Sequence, residues 1–507
     1  MIYTLGVDIG TSGTKTILIN TSGDVIASHT VEYPLYQPQN GYAEQDPMDW
    51  YHAVIETIKT VIAKSKISAE DIKGVGLSGQ MHGLVMLDEQ GRVIRPSIIW
   101  CDGRAGAQCD EITSLVGKDR LLEITANPAI AGFTAAKIMW VKKYEPENYA
   151  KCKKILLPKD FIRYMLTGEF ATEVSDASGM QLLDIKNRCW SDEVLEKLDI
   201  DKNLLATVYE SPEVTGKTTS EIEALTGLKS GTIVVGGAGD NAAAAVGTGV
   251  VQDNKAFSTI GTSGVLYAHT SEMKIDKLGR VHTFCSAVPN EWHVMGVTQA
   301  AGLSMKWLRD TFFNEEILEA EKQGVDSYYL LDNMAKELPI GADKLLYLPY
   351  LMGERTPHLD TNARGVFFGL SAIHGKAHFV RAVLEGVSYS LRDCKEVLAE
   401  MGIDANDMMI CGGGAKSPLW RQMLSDIYQT DVVVPKSSEG AALGVAILAL
   451  VGCGEYSSVQ EACNAIIMKD KVTNTIPDNS EQYERVYQIY KGLYPVLKHS
   501  YQALSEV

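Results

Sequence analysis

Apolar and polar residues change register several times along the chain, and each change marks an element. Tyr3–Asp8 is almost continuously apolar, as a strand buried on both faces would be, and Thr14–Ile19 repeats that character after Gly10-Thr11-Ser12-Gly13. A second turn, Ser22-Gly23-Asp24, leads into Val25–Val31, so the chain opens with a three-stranded meander. At Asp46-Pro47 the period changes to helical. Asp46 is placed to cap, Pro47 to take the first helical position, and Trp50, Val54, Ile58, Val61 and Ile62 fall on one face. Strand character returns at Ile72–Leu77 and Leu84–Asp88, followed by helical patterns to about Leu205. At the far end, Tyr483, Val486, Tyr487, Tyr490, Leu493, Leu497 and Tyr501 form a stripe that predicts a terminal amphipathic helix kinked at Pro495.

The opening pattern recurs. Ile9-Gly10-Thr11-Ser12-Gly13 returns as Ile260-Gly261-Thr262-Ser263-Gly264, again between two strand patterns. Two copies in the same context read as a duplication and place a boundary near Gly247–Lys255, giving expected domains of residues 1–247 and 248–507. No Pro- or Ser-rich linker separates them, so the halves are expected to pack together.

Composition narrows the function classes. At 507 residues and 45% apolar, the chain can bury a sizeable core and is not mainly disordered. With 47 basic and 64 acidic residues its formal net charge is −17, which argues against general binding to nucleic acid or anionic membranes. The nine cysteines include no CxxC pair, a pattern of reduced, mostly buried thiols. The first residues show no secretory leader, and the longest apolar run, Ala441–Leu450, is shorter than the ~20 residues of a spanning helix. A cytoplasmic protein is expected, its oligomeric state open and a homodimer included.

Three Gly-rich segments compete as phosphate loops. Gly74-Val75-Gly76-Leu77-Ser78-Gly79 matches GxGxxG but is followed by loop and strand patterns where the dinucleotide fingerprint needs a helix. Gly216-Lys217-Thr218 ends like a Walker A loop but has Ser211 where Gly is required. The paired Gly-Thr-Ser-Gly turns are better placed, since their amides and hydroxyls can wrap phosphate oxygens from two sides. Asp8 precedes the first, where a carboxylate suits a magnesium ion held mostly through water. Cys411-Gly412-Gly413-Gly414-Ala415, ahead of Ser417, Pro418 and a helical pattern, lets a flat ligand approach the backbone or is simply a tight strand-to-helix turn. Asp240 reads as a helix cap before four alanines and, flanked by Gly236, Gly237 and Gly239, is also open to a substrate hydroxyl whose proton it could take. His82, between Gly79 and Gly83, is a candidate polyol contact.

Together these residues resemble the FGGY family of carbohydrate kinases in the actin-like ATPase superfamily, from Asp8 to about Leu450. Gly132-Phe133-Thr134-Ala135-Ala136-Lys137-Ile138-Met139-Trp140 is similar to one family signature, and Gly365–Leu370 with His378-Phe379 and Ala382–Glu385 to the other. Gly79–Gly83, Leu157–Asp160, Ser175–Gly179 and Gly353–His358 are similar to members acting on D-xylulose. The resemblance implies an α/β fold of two actin-like (ribonuclease H-like) domains, each a mixed sheet flanked by helices, with a cleft between. It implies transfer from ATP, with Mg2+, to the 5-hydroxyl of D-xylulose. Carried over by position, Asp240 becomes the general base and Asp8 the catalytic residue nearest the metal. Gln80, Met81, His82, Asp102, Asp240 and Asn241 become sugar contacts. Thr11, Ser12, Lys15, Gly261, Thr262, Ser263, Gly412, Gly413, Gly414 and Ala415 become nucleotide contacts. Two positions depart from the pattern: Cys101 stands where Asn is expected, and Ala136 where Pro is. A gluconate, ribulose, erythritol or glycerol kinase, and more remotely an actin- or chaperone-like ATPase, remain the alternatives.

Overall fold

The computed structural model describes residues 2–507. Strands β1 (Tyr3–Ile9), β2 (Gly13–Asn20) and β3 (Val25–Glu32) form the expected antiparallel meander. Helix α1 (Pro47–Ser65) starts as its sequence requires: Asp46 accepts a hydrogen bond from Met48 N at 2.9 Å, and Trp50, Val54, Ile58 and Val61 are buried. Strand β4 (Ile72–Gly79) runs parallel to β1. After α2 (Thr134–Tyr144) and α3 (Pro158–Thr167), strands β5 (Val214–Lys217) and β6 (Ile233–Val235) complete a sheet ordered β5-β6-β4-β1-β2-β3. The Ala238–Gly239 segment adds a short parallel pairing to the end of β4 and runs into α4 (Asp240–Thr248).

The second sheet repeats this plan. Strands β7 (Lys255–Ile260) and β8 (Gly264–Thr270) form the second hairpin, followed by β9 (His282–Cys285), β10 (Trp292–Thr298), β11 (Asp407–Gly412), α5 (Pro418–Tyr428) and β12 (Val432–Pro435). Then come α6 (Gly440–Gly452), β13 (Lys469–Thr473) and α7 (Pro477–Ser505), and the sheet order is β9-β10-β8-β7-β11-β12-β13. Each repeated pentapeptide therefore turns an antiparallel hairpin, β1/β2 or β7/β8, whose first strand is also paired in parallel, with β4 or β11.

Helix α6 is the apolar run of the sequence, and it lies on the sheet of the first half. A methyl group on Gly6 of β1 would sit 1.9 Å from the Ala442 carbonyl oxygen, and one on Gly76 of β4 would sit 1.9 Å from that of Val445. The GxGxxG run is thus a strand whose missing side chains seat a helix. Between α4 and α6 the approach is equally close: a methyl on Gly444 would sit 1.8 Å from Ala243 O, and one on Gly247 2.0 Å from Gly440 O. No helix among the described residues is long and apolar enough to cross a membrane.

One local reading changes and one is found as expected. The terminal helix is present, and α7 runs from Pro477 to Ser505 with Pro495 inside it. Pro495 lies on its exposed side, as does Lys491, so the carbonyl that loses its partner faces solvent. All nine cysteines are unpaired, but only Cys152, Cys285, Cys394 and Cys463 are buried, while Cys101 and Cys189 are exposed.

The helix contact yields a paired test. In an open helix interior Gly→Ala gains up to about 1 kcal/mol, whereas overpacking costs about 1–3 kcal/mol. Gly444→Ala should therefore lower the urea midpoint and Gly492→Ala, with no atom within 4 Å of the added methyl, should raise it. A Gly444→Ala protein as stable as its parent would mean that α4 and α6 are not in contact through this glycine.

Candidate active site

The two candidate carboxylates are brought together by β4. Asp8, near the end of β1, pairs across the sheet with Ser78 of β4, and the next pairing of β4, with Ala238–Gly239, delivers Asp240. Asp240 is the first residue of α4; the cap is Gly239, which has no side chain to offer. The cap reading of Asp240 is corrected accordingly. Its carboxylate turns onto its neighbour: Oδ1 accepts from Asn241 N at 2.7 Å and from Asn241 Nδ2 at 3.0 Å. Among the described residues Oδ2 has no hydrogen-bond donor, so it is free for a ligand.

Burial is the main reason that Asp240 is pushed up to about 6, and the negative charge of Asp8 adds to it, against the two Asn241 donors. Asp8 is also raised by burial, opposed by Ser78 and Lys15. Its Oδ1 is sealed from solvent without a hydrogen-bond partner. An orphaned buried carboxylate oxygen beside a second carboxylate suits a hydrated divalent cation. Among the described residues no three or more His, Cys, Asp or Glu side chains gather to hold a metal. A magnesium ion that keeps its waters and binds substrate phosphate needs no such cage.

The Met81-His82 pair follows β4 directly. Met81 is buried, and a methyl on Gly239 would come within 3.0 Å of its Cγ and Sδ, so the side chain lies against the segment before Asp240. The His82 Nδ1 is 2.9 Å from the Gly179 carbonyl, which assigns the proton to Nδ1 and leaves Nε2 as an acceptor. Burial first, then the charges of Lys137 and Arg355, hold the ring down to about 3, against the Gly179 bond. It is therefore neutral at any working pH. Phe133 packs on it with centroids 4.6 Å apart, and Phe284 from the second sheet lies 6.3 Å away.

Gln80 and Asp102 face elsewhere. The Gln80 amide donates to Gln45 Oε1 at 2.7 Å, and Gln45 in turn donates to Thr11 O at 2.7 Å, so Gln80 braces the first Gly-Thr-Ser-Gly turn. Both oxygens of Asp102 are taken by the Arg104 guanidinium, and one also accepts from Ala43 N at 2.6 Å. Cys101 beside it is exposed.

The phosphate candidates lie at the ends of the two hairpins. In the first turn Gly10 N donates to Gly13 O at 3.0 Å, Thr11 Oγ1 accepts from Trp100 Nε1 at 2.9 Å, and Ser12 is exposed. Lys15 forms an ion pair with Glu439, the residue ahead of α6, so a link between the halves lies at this turn. In the second, Gly261 N donates to Ser263 O at 3.0 Å, Gly302 N bonds Gly261 O at 2.8 Å, and Gly261 and Thr262 are exposed. Strand β11 ends at Gly412, whose φ of 81° and contact with Ile260 O only glycine tolerates. Gly413–Lys416 form a short 3-10 turn, and Ser417 caps α5 by accepting from Trp420 N at 3.0 Å, ahead of Pro418.

Residue patterns alone assigned no role to the groups behind Asp240. Lys159 lies 2.8 Å from Asp160 and 3.1 Å from Asp176, fully buried, and Arg163 bonds Asp160 at 2.6 Å and the Gly236 carbonyl. Ser175 Oγ donates to Glu173 and accepts from Gly239 N at 3.1 Å. The Leu157–Asp160 and Ser175–Gly179 segments stood out only by their resemblance; charge pairing between segments distant in sequence leaves no periodic signal.

Two sheets of like plan joined by crossing helices, with paired hairpin turns and two neighbouring buried carboxylates, define a phosphotransferase fold of the actin-like type. The chain matches the model of the FGGY family of carbohydrate kinases, N-terminal domain, over residues 3–247, and that of the C-terminal domain over residues 256–453, and it belongs to this family. It is 39% identical over 504 residues to a xylulose kinase of Bacillus subtilis (strain 168), covering 99% of each chain. To a gluconokinase of the same organism it is 32% identical over 506 residues, covering 99% of this chain and 98% of the other. The crystal structure of ligand-bound xylulose kinase from Lactobacillus acidophilus superposes with a TM-score of 0.92 at 27% identity, over 99% of this chain and 100% of that one.

The raised pKa of Asp240 has a stability consequence. The ionised carboxylate is the form that burial and Asp8 disfavour, so the penalty is absent below the unfolded value of 3.8, grows on rising pH and is complete above about 6. Asp240→Asn should raise the melting temperature at pH 8 and change it little at pH 4. An equal effect at both pH values would mean that the carboxylate carries no such penalty.

Proposed function

We propose that the chain transfers the γ-phosphoryl group of ATP to the 5-hydroxyl of D-xylulose, with Asp240 as the general base. The observation that carries this reading is the Asp240 carboxylate: Oδ2 unbonded, raised to about 6, and standing behind the Met81-His82 pair. A base poised just below neutral pH is ionised when the sugar arrives and still basic enough to accept its proton as the oxygen attacks phosphorus. The 39% identity to a xylulose kinase, against 32% to a gluconokinase, supports the choice of ketopentose.

In this reading His82 Nε2 accepts from a sugar hydroxyl, Met81 forms the apolar floor, and Asn241 holds the Asp240 carboxylate so that Oδ2 faces the reacting hydroxyl. Gln80 and Asp102 act by fixing the loops around them. Phosphoryl transfer needs positioning and charge neutralisation more than covalent help. The amides and hydroxyls of Thr11, Ser12, Gly261, Thr262 and Ser263 are placed to hold phosphates, Lys15 adds a cation, and the open backbone of Gly412–Ala415 offers a seat for adenosine. Mg2+ would be held at Asp8, where it would neutralise phosphate charge. Residues 1–247 and 248–507 act as the two domains, and their nine unpaired thiols suit a reducing cytoplasm.

Coupled ADP release over a panel of D-xylulose, D-ribulose, gluconate, erythritol and glycerol tests the substrate. D-xylulose should give the highest kcat/KM, and a higher value for any other member would reassign the chain within the family. Asp240→Asn should lower kcat by about 10²–10⁴-fold with sugar binding retained, and the kcat/KM of the parent should rise with pH through about 6. Near-normal turnover of the variant would remove Asp240 from the role.

A further inference from the structure

The sugar-facing loop holds a residue in an unusual backbone state. His82 has a φ of 68°, the left-handed region that a residue with a bulky ring rarely adopts without support. The support is visible at its carbonyl oxygen, which accepts two side-chain hydrogen bonds from one helix: Thr134 Oγ1 at 3.1 Å and Lys137 Nζ at 2.8 Å, both from the first turn of α2. Lys137 is fully buried. An ammonium carries three donors, and among the described residues this one makes no other hydrogen bond. Burying a lysine around one carbonyl is costly, and packing alone would be served as well by Met or Leu.

We propose that Lys137 is a positioning residue for His82. Its ammonium locks the left-handed carbonyl, and its charge adds to the burial that disfavours the imidazolium, so that Nε2 remains an acceptor for a sugar hydroxyl. The inference rests on the proposed reading of His82 as a sugar contact.

The charged and titratable groups around the pair are few. Arg355, from the second half, and Lys137 face the His82 ring, and both oppose its protonation. His282, held by Asn127 at 2.8 Å and 3.4 Å from Arg355, is itself kept neutral by burial and those charges. On its other side Lys137 feels Asp102, Cys101 and Arg104. Burial brings Lys137 down to about 7, against the pull of Asp102, so its charge is present at and below neutral pH. That is the range in which His82 would otherwise begin to take up a proton. Cys101, where Asn was expected, thus adjoins the group that sets the His82 geometry.

The test uses the full-length protein. In Lys137→Met, which keeps the volume and removes the charge, the burial of His82 remains and only the repulsion is lost, so its ring should titrate above the value of about 3 it has in the parent, read by NMR of the imidazole without sugar. The KM for D-xylulose should rise roughly ten- to hundredfold, as for loss of a hydrogen bond to a charged group, and worsen as pH falls, while the KM for ATP stays near the parent's. Thr134→Val removes the second bond and leaves the charge, so it should raise the sugar KM without moving the ring titration. It also keeps the proposal testable should Lys137→Met fail to fold. A ring that titrates in Lys137→Met as in the parent overturns the inference, whatever the sugar kinetics. A ring that shifts while sugar KM stays unchanged overturns instead the placement of His82 at the sugar.

Discussion

The architecture depends on a backbone-to-backbone contact with no side chains in it. Helix α6, from the second half of the sequence, lies on β1 and β4 of the first sheet because Gly6 and Gly76 present nothing but hydrogen, and it crosses α4 where Gly247 and Gly444 do the same. Such contacts leave no room to relax, so they fix distances more tightly than interdigitated side chains would. The consequence runs straight to the chemistry. Asp8 lies two residues after Gly6, Asp240 begins α4, and Glu439 immediately precedes α6. The carboxylates and the Lys15–Glu439 ion pair are therefore set by the same packed unit that joins the two sheets.

That unit carries a charge problem. Asp8 and Asp240 are both raised by burial and repel each other, so the folded chain holds them at a cost that a purely stabilising core would avoid. The segment ahead of Asp240 is held by a separate cluster of buried charges. Lys159 and Arg163 stand against Asp160, Glu173 and Asp176, and burial together with its acidic neighbours pushes Asp176 upward, against the pull of Lys159. The cluster grips Gly236 O through Arg163 and Gly239 N through Ser175. Rigidity behind Asp240 and electrostatic strain at Asp240 are supplied by different residues.

Local features were legible in the sequence. The meander, the Asp46-Pro47 helix start and the repeated hairpin turn each depend on residues within a few positions, and all are found where the pattern puts them. The packing of α6 was not legible, because a helix apolar all round has no preferred face and so does not say which sheet it joins. The GxGxxG run was correctly set aside as a dinucleotide loop, but its use as a seat for α6 becomes apparent only with both partners in place. The cap reading of Asp240 failed for a smaller reason: Gly239 supplies the extended residue before the helix, and the carboxylate is left for Asn241 and a ligand. Lys137 was quoted within a signature, yet nothing in its neighbours' pattern tells that its ammonium reaches the carbonyl of a residue 55 positions away.

The acidic balance of the chain and a polyphosphate substrate are reconciled by where the charge sits. Near the first Gly-Thr-Ser-Gly turn the structure places Asp8, Asp240 and Glu439, with Lys15 already engaged by Glu439. In the proposed reaction, phosphate oxygens arriving there would be repelled by side chains and attracted by backbone amides at the hairpin turns, whose dipoles are fixed and need no counter-charge. Binding then requires either that Lys15 exchange Glu439 for phosphate or that cationic charge arrive with the nucleotide. Both routes couple nucleotide entry to the Lys15–Glu439 link between the halves. In that reading the net charge of −17 does not oppose the substrate, and the local carboxylates would make its entry conditional on the Lys15–Glu439 contact.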